Sequence, residues 1–374
     1  MAIFRSLLLL GILTLVLAAC ANAPAAPAPP AYWPTAGWRS AAPAAHGIDS
    51  TRLAALDAAA AALPYLDGLV IVRNGYIVYE YYANDHRADT LHDVASVTKS
   101  WTSALVGIAR AQGKLPDLDT TLPDLLPTYF AAGAYPDKRA ITLRHLLMMR
   151  SGIEYDEMKL DSGEYGGPEL LEQDTTQVAL SFPMAFTPGE AWNYSTLDTQ
   201  LISAVMQQAT GTPLHTFAKE HLFAPLGISN YQWLTDGAGT TIGGQNLSLT
   251  PRDMAKLGLL YLHGGKWEGR QLVPADWVRE STMPQGEAYY VPTGQVERIA
   301  FYGYHWWLWE DSWYDGMSNG VHAMGYAGQS VLILPRLNMI IVTTAELPSP
   351  DQEEPQRAGI HTLIVEQILP AIIP

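Results

Sequence analysis

Two stretches that read as β-hairpins stand near opposite ends of this chain, and helix-forming sequence fills the interval between them. The first, "GLVIVRNGYIVYEYYA" (68–83), is two β-rich runs split by Asn74-Gly75. Asn-Gly between such runs is a strong hairpin signal, because both residues tolerate the positive φ that a tight turn needs. The second, "QSVLILPRLNMIIVTT" (329–344), is two apolar runs joined by Pro-Arg-Leu-Asn. Strands at both ends and helices between them are met most simply by one antiparallel sheet built from both termini, with a mostly helical lobe inserted. "DSTRLAALDAAAAAL" (49–63), with capping candidates Asp49, Ser50 and Thr51, and "EPQRAGIHTLIVEQIL" (354–369) supply helices to flank that sheet. The expected fold class is therefore α+β.

The inserted lobe spans about residues 96 to 285. "TLRHLLMMRSG" (142–152) reads as a short amphipathic helix stopped by Gly152. "STLDTQLISAVMQQATG" (195–211) begins with a Ser/Thr cap and ends at Gly211, and "TPRDMAKLGLLYLHGG" (250–265) has Pro in its first turn and glycines at its end. After the lobe, "FYGYHWWLW" (301–309) is an aromatic-rich strand region. A chain of 374 residues can bury a large core, and 48% hydrophobic against 16% charged residues is a globular balance.

The N-terminus belongs to a different regime. Residues 1–19 show one early positive charge, Arg5, then an apolar run, then small residues, which is the layout of a secretory signal. The run meets "LAAC", Leu17 to Cys20, which resembles a bacterial lipoprotein lipobox. Cys20 is the one cysteine of the chain, so no internal disulfide can form, and it falls where that pattern places the lipidated residue. Residues 20–45, rich in Ala and Pro, read as an extended tether, which leaves 46–374 as the folded domain. The expected location is extracytoplasmic, with membrane contact only through a lipid on Cys20.

Three segments carry chemistry. In "ASVTKSWTS" (95–103), Ser96 and Lys99 lie three residues apart at the start of a helix-like run. On a helix those positions share a face, so the amine can reach the hydroxyl and take its proton. The same residues also fit a capping serine and a solvated lysine. In "FTPGEAWNYSTLDTQL" (186–201), Tyr194 follows a Pro-Gly turn and precedes a capped helix; a phenol beside an ammonium can act as a general base. The chain holds 19 tyrosines, so a packing role is equally open. In "HAMGYAGQSVLIL" (322–334), a glycine-rich segment runs into an apolar strand, whose edge amides can bind an oxyanion or whose glycines serve tight packing.

Taken together, Ser96-x-x-Lys99, then Tyr194-x-Thr196, then Ala323-Met324-Gly325 resemble the ordered signature of the serine β-lactamase and penicillin-binding-protein superfamily, on its class C side. "ITLRHLLMMRSGI", "LFAPLGISNYQW" and "LSLTPRDMAKLGLLYLHGGKWEGRQLV" resemble further segments of that family, and the likeness covers about residues 47 to 346. The resemblance implies Ser96 as an acyl-enzyme nucleophile, Lys99 as its base or proton relay, and Tyr194 as the group that serves the leaving group. It further implies Gly325 and Tyr326 at the oxyanion and substrate edge, with the N–H groups of Ser96 and Tyr326 as the oxyanion donors. Two positions depart from the pattern. Thr196 replaces the Asn of Tyr-x-Asn, and Ala323 replaces the lysine of Lys-Thr-Gly, which argues against efficient β-lactam hydrolysis. "GYAGQ" and "SGIEYDE" are more similar to the esterases, amidases and 6-aminohexanoate-dimer hydrolases of that superfamily.

The resulting expectation is a serine hydrolase acting on a small ester, amide or peptide. A D-alanyl-D-alanine carboxypeptidase and a non-catalytic ligand-binding relative are the alternatives. The net charge of −15 excludes nucleic acid as a partner. No H-E-x-x-H occurs and the histidines are scattered, so neither a metal nor a cofactor is expected, and His145 and His305 are read as structural. "GMSNG" (316–320) matches G-x-S-x-G, but polar sequence surrounds Ser318 where a nucleophile elbow needs a strand and a helix, so it is read as a loop serine. Glu157, in "YDEM", fits an acid near the site or a solvated loop carboxylate, and is read as the latter. The tryptophans of "YHWWLWEDSW" suit a cleft wall or a core equally.

Overall fold

The computed structural model describes residues 27, 29–157, 159, 167–290, 297–308, 320–347, 349 and 352–373. Eight strands form its main sheet: β1 (Leu66–Arg73), β2 (Tyr76–Tyr82), β3 (Gly286–Tyr290), β4 (Glu297–Tyr302), β5 (Trp307–Leu308), β6 (Val321–Met324), β7 (Ser330–Leu334) and β8 (Met339–Ala345). Their order is β2-β1-β8-β7-β6-β5-β4-β3, and every neighbouring pair is antiparallel. Both expected hairpins are present. Asn74 (φ 52°) and Gly75 (φ 82°) make the first turn, and Asn338 (φ 46°) closes the second after a 3-10 turn over Pro335–Leu337. The two hairpins then zip together, Val70 opposite Val342 and Ile71 opposite Ile341, so the two ends of the chain meet at β1 and β8. The α+β expectation is the observed fold.

Side chains alternate across a strand, and the two faces of this sheet enter two separate cores. Leu69, Ile71, Leu332, Leu334 and Ile341 pack against Leu53, Leu56, Ile360, Leu363 and Ile364, which come from the terminal helices. Val70, Val72, Val331, Ile333, Ile340 and Val342 belong to the other core. That core is shared with the helices of the insertion, among them α1 (Val97–Ala111), α2 (Thr196–Thr210) and α3 (Pro251–Leu262). α2 is capped by Ser195, whose hydroxyl accepts from Asp198 N–H, and stops at Gly211 in the left-handed conformation. α3 is capped by Thr250 with Pro251 in its first turn. Among the described residues no helix is long and apolar enough to cross a membrane.

Several expectations need correction. The helix after Asp49 is two pieces, Ser50–Ala54 and Leu56–Ala61, and Asp49 alone of the three candidates is its cap. The helix at 142 ends at Leu147, well before Gly152. Met149 takes a left-handed φ of 57° and Arg150 N–H turns back to His145 O at 2.8 Å. The strand region of "FYGYHWWLW" is present but folded on itself: the chain reverses over Gly303–Trp306, with His305 at φ 62°, between β4 and β5. The tether does not run unpacked to residue 45. Trp33 lies 4.9 Å from Trp267, and Trp38 Nε1 donates to Arg252 O at 2.8 Å. These two indoles supply the apolar surface that the surrounding Ala and Pro lack. The signal segment, Cys20 and Ser318 lie outside the described residues.

Candidate active site

α1 is the spine of the site. Its polar residues tie it to its surroundings at fixed points: Ser100 Oγ donates to His305 O (2.7 Å), Thr102 Oγ1 to Gly243 O (2.7 Å), and Trp277 Nε1 to Ser103 O (2.9 Å). A helix so pinned presents its first turn rigidly. Immediately before it, Ala95 holds a positive φ of 46°, a strained conformation for a residue with a Cβ. Ser96 occupies the N-cap position but caps nothing, since its own backbone is right-handed helical (φ −69°, ψ −6°). Its hydroxyl instead accepts from Lys99 Nζ at 2.8 Å. The capping alternative thus holds for the position and fails for the side chain.

Lys99 is not solvated either; it is 1% exposed. A buried ammonium or amine needs partners, and three oxygens surround Nζ: Ser96 Oγ (2.8 Å), Thr196 Oγ1 (2.8 Å) and Gly244 O (3.1 Å). Tyr194 closes the fourth side, with Nζ 4.9 Å from its ring centroid. The structure therefore brings Ser96, Lys99 and Tyr194 together from the starts of α1 and α2, about a hundred positions apart. Tyr194 sits in an aromatic wall with Trp192, Tyr302 and Trp307 at centroid distances of 6.1, 6.2 and 5.5 Å. The tryptophans divide: Trp307 joins this wall, while Trp306 is fully buried in the core.

Gly325 also reaches the site. A Cβ on it would lie 2.6 Å from Val94 O and 3.2 Å from Ala95 Cβ, so only glycine lets the end of β6 lie against the residues that precede Ser96. The close approach is to the chain's own backbone. Tyr326 follows at once and opens a tight turn over Tyr326–Gly328.

Two residues matter more than the sequence suggested. Glu157 is not a solvated loop carboxylate. Its Oε2 accepts from Thr196 N–H at 2.9 Å, its Oε1 takes the Thr196 hydroxyl in a short hydrogen bond, and that oxygen lies 3.9 Å from Lys99 Nζ. Asn193 holds this segment in place by donating to Ile153 O (3.3 Å) and Tyr155 O (2.9 Å). Thr196 thus joins the lysine to a carboxylate across the fold. The available signal was the placement of Asn193 beside Tyr194 and of "YDE" after a glycine turn.

Burial governs the remaining ionisable groups. The Asp198 carboxyl, fully enclosed, is pushed up to about 7 by desolvation, although Ser151 Oγ donates to it at 2.6 Å. His305 is pushed down to about 3 by burial and by the nearby Lys99 charge, so its imidazole is neutral and structural, as expected. His145 closes a capping box with Thr142. No sequence spacing gathers Asp67, His86 and Glu346, yet their ligand-type atoms lie within 4.8 Å of one another; Asp67 there accepts from Asn84 at 2.9 Å.

A buried lysine on a serine hydroxyl, at the head of a helix packed on an antiparallel sheet, defines a class of serine hydrolase. The β-lactamase family model matches residues 56–366, so the chain belongs to that family and is a serine hydrolase. It is 25% identical over 326 residues to 6-aminohexanoate-dimer hydrolase of Paenarthrobacter ureafaciens, covering 79% of each chain. It is 31% identical over 177 residues to esterase EstB of Burkholderia gladioli, covering 42% of this chain and 44% of that one. The fold also matches a penicillin-binding protein from Bacillus halodurans with a TM-score of 0.62 at 19% identity, over 82% of this chain and 99% of that one.

Proposed function

We propose that this serine hydrolase cleaves a neutral ester or amide through an acyl-enzyme on Ser96. The observation that carries the reading is the buried Lys99 amine 2.8 Å from the Ser96 hydroxyl. As the free base, Lys99 takes the hydroxyl proton while Oγ bonds the carbonyl carbon, and the carbonyl electron pair moves onto oxygen. The N–H groups of Ser96 and Tyr326 are the proposed donors to that oxyanion. Collapse re-forms the carbonyl and breaks the bond to the alcohol or amine, which leaves with a proton supplied through Tyr194 and Lys99. Water then adds to the acyl-serine by the same relay in reverse, releasing the acid and restoring the Ser96 hydroxyl. An aromatic wall of Trp192, Tyr194, Tyr302 and Trp307 suits an apolar acyl or leaving group. Relatives named as an esterase and as a 6-aminohexanoate-dimer hydrolase are consistent with that range. The chain acts outside the cytoplasm, held by a lipid on Cys20; Cys20→Ala then loses incorporation of labelled palmitate.

Stopped-flow hydrolysis of p-nitrophenyl butyrate tests the mechanism. One nitrophenolate per chain is released in a burst, and Ser96→Ala and Lys99→Ala each lower kcat by at least about 10³-fold. A full burst from Ser96→Ala contradicts the assignment.

A further inference from the structure

We infer that Glu157 and Thr196 form a positioning pair that keeps the Lys99 lone pair aimed at Ser96. This deepens the acyl-enzyme reading and rests on it. A neutral amine has two N–H bonds and one lone pair to distribute among its neighbours. Gly244 O, 3.1 Å away, can only accept, so it takes one N–H. Thr196 Oγ1, 2.8 Å away, is ambiguous, since a hydroxyl both donates and accepts. Glu157 removes that ambiguity. Its Oε1 takes the one hydroxyl proton of Thr196, and its Oε2 holds the Thr196 backbone N–H at 2.9 Å. Thr196 Oγ1 is left to accept the second N–H of Lys99. The third direction of the amine points to Ser96 at 2.8 Å: in the ammonium it is the N–H that Ser96 Oγ accepts, and in the free amine it is the lone pair that receives the hydroxyl proton. Transfer runs along one line and needs no rotation of the amine.

Without the carboxylate, the Thr196 hydroxyl is free to donate to Lys99 and turn the lone pair away from Ser96. Glu157 touches Thr196 and not the reacting atoms, so it acts through its neighbour. Its charge has a second effect. A carboxylate 3.9 Å from Nζ favours the ammonium, so it raises the pH at which Lys99 becomes a base.

The ionisable groups around Lys99 come from several elements. Tyr194 and Thr196 stand at the head of α2, Asp198 one position pair further on, and Glu157 on the segment held by Asn193. His305 Nδ1 lies 3.3 Å from the Lys99 carbonyl, and Tyr302 is buried behind Tyr194. His305 is held neutral and the Tyr302 phenol is pushed well up by burial, while the Asp198 carboxyl, pushed up to about 7, can itself titrate near neutrality.

The test is the pH profile of kcat and KM for p-nitrophenyl butyrate. Glu157→Gln is expected to lower plateau kcat about 10- to 100-fold with KM little changed, and to move the ascending limb to lower pH. The limb shift persists in an Asp198→Asn background. Thr196→Val reproduces the loss in kcat, and Thr196→Ser recovers most of it. That hydroxyl comparison stands by itself if Glu157→Gln folds poorly by circular dichroism. Wild-type kcat and an unmoved limb in Glu157→Gln, or equal kcat for the Val and Ser variants, overturn the pairing while leaving the hydrolase reading intact. Retained turnover in Ser96→Ala overturns the reading beneath it.

Discussion

The two faces of the main sheet are made by the same strands, yet they carry different loads. On the face covered by the terminal helices, Leu69, Ile71, Leu332 and Ile341 meet Leu56, Ile360 and Leu363, aliphatic against aliphatic. On the other, the inserted helices bury Lys99, Asp198, Gln200, His305 and a set of threonines beside the aliphatic core. The first arrangement gains from every square ångström removed from water. The second gives up part of that gain to desolvate polar groups, and it recovers the cost only where each finds a partner. Polar burial, the strained Ala95 and the close backbone approach at Gly325 all gather on the side where the candidate chemistry lies. One face holds the fold together, and the other holds Ser96 and Lys99 in register.

That division can be broken residue by residue. The largest effect is expected at the seam between the sheet and Ser96. Gly325→Ala places a Cβ 2.6 Å from Val94 O and must displace the Val94–Ala95 segment. It should cost about 10²-fold in kcat/KM on p-nitrophenyl butyrate, from a sub-ångström misplacement of the nucleophile, with only a modest change in melting temperature. A Gly325→Ala enzyme of wild-type activity would show that the seam does not position Ser96.

The opposite face should behave in the opposite way. Ile341 is fully buried among the terminal helices. Ile341→Ala should lose about 2–5 kcal/mol of stability in urea titrations, through lost burial and an unfilled cavity. The kcat/KM of its folded fraction should match wild type. A selective loss of activity there would erase the distinction between the faces.

The smallest effect distinguishes the faces by pH. His305 lies beside Lys99 in the site, and His322 on β6 pairs with Leu332 of the terminal-helix core on one side and with Trp307 on the other. Burial pushes both down to about 3. Between that value and the unfolded value near 6.5, the unfolded chain binds protons that the folded chain refuses, so stability is lost as pH falls through this window. Asp198 works against them. Raised to about 7, it keeps a proton in the folded state that the unfolded chain gives up, so its contribution to stability falls as pH rises from about 4 to 7. His92, His145, His215, His263 and His361 are lowered by burial as well, against Asp67, Asp93 and Glu353 raised beside Asp198, so the histidines outnumber the carboxyls and predict a net drop in melting temperature from pH 6.5 to 4. Asp198→Asn should steepen that drop and His322→Gln should flatten it. Calorimetry across pH 4–7 reads both slopes, and a melting temperature that rises toward pH 4 would contradict them.

The same contrast explains how much could be read from the sequence. Hairpins announced by Asn74-Gly75 and by the turn at Asn338 are local signals, and both are present. Ser96 and Lys99 are one helical turn apart, so their contact follows from helix geometry. The boundaries that failed were overridden by tertiary structure: the left-handed Met149 ended a helix early, and the indoles of Trp33 and Trp38 drew the tether onto the lobe. Glu157 was misjudged for a related reason. Its partner Thr196 is 39 positions away, and nothing about an acidic residue in a loop reveals which hydroxyl it will meet. Thr196, read as a departure from a pattern, accepts from Lys99 and donates to Glu157.

The central claim is that Ser96 is the residue that becomes acylated. The most direct measurement is intact-mass and peptide-map analysis after labelling with a fluorophosphonate. The account predicts one adduct per chain, on the peptide that carries Ser96, and no adduct in Ser96→Ala. Labelling that survives Ser96→Ala and disappears in Ser318→Ala would contradict it.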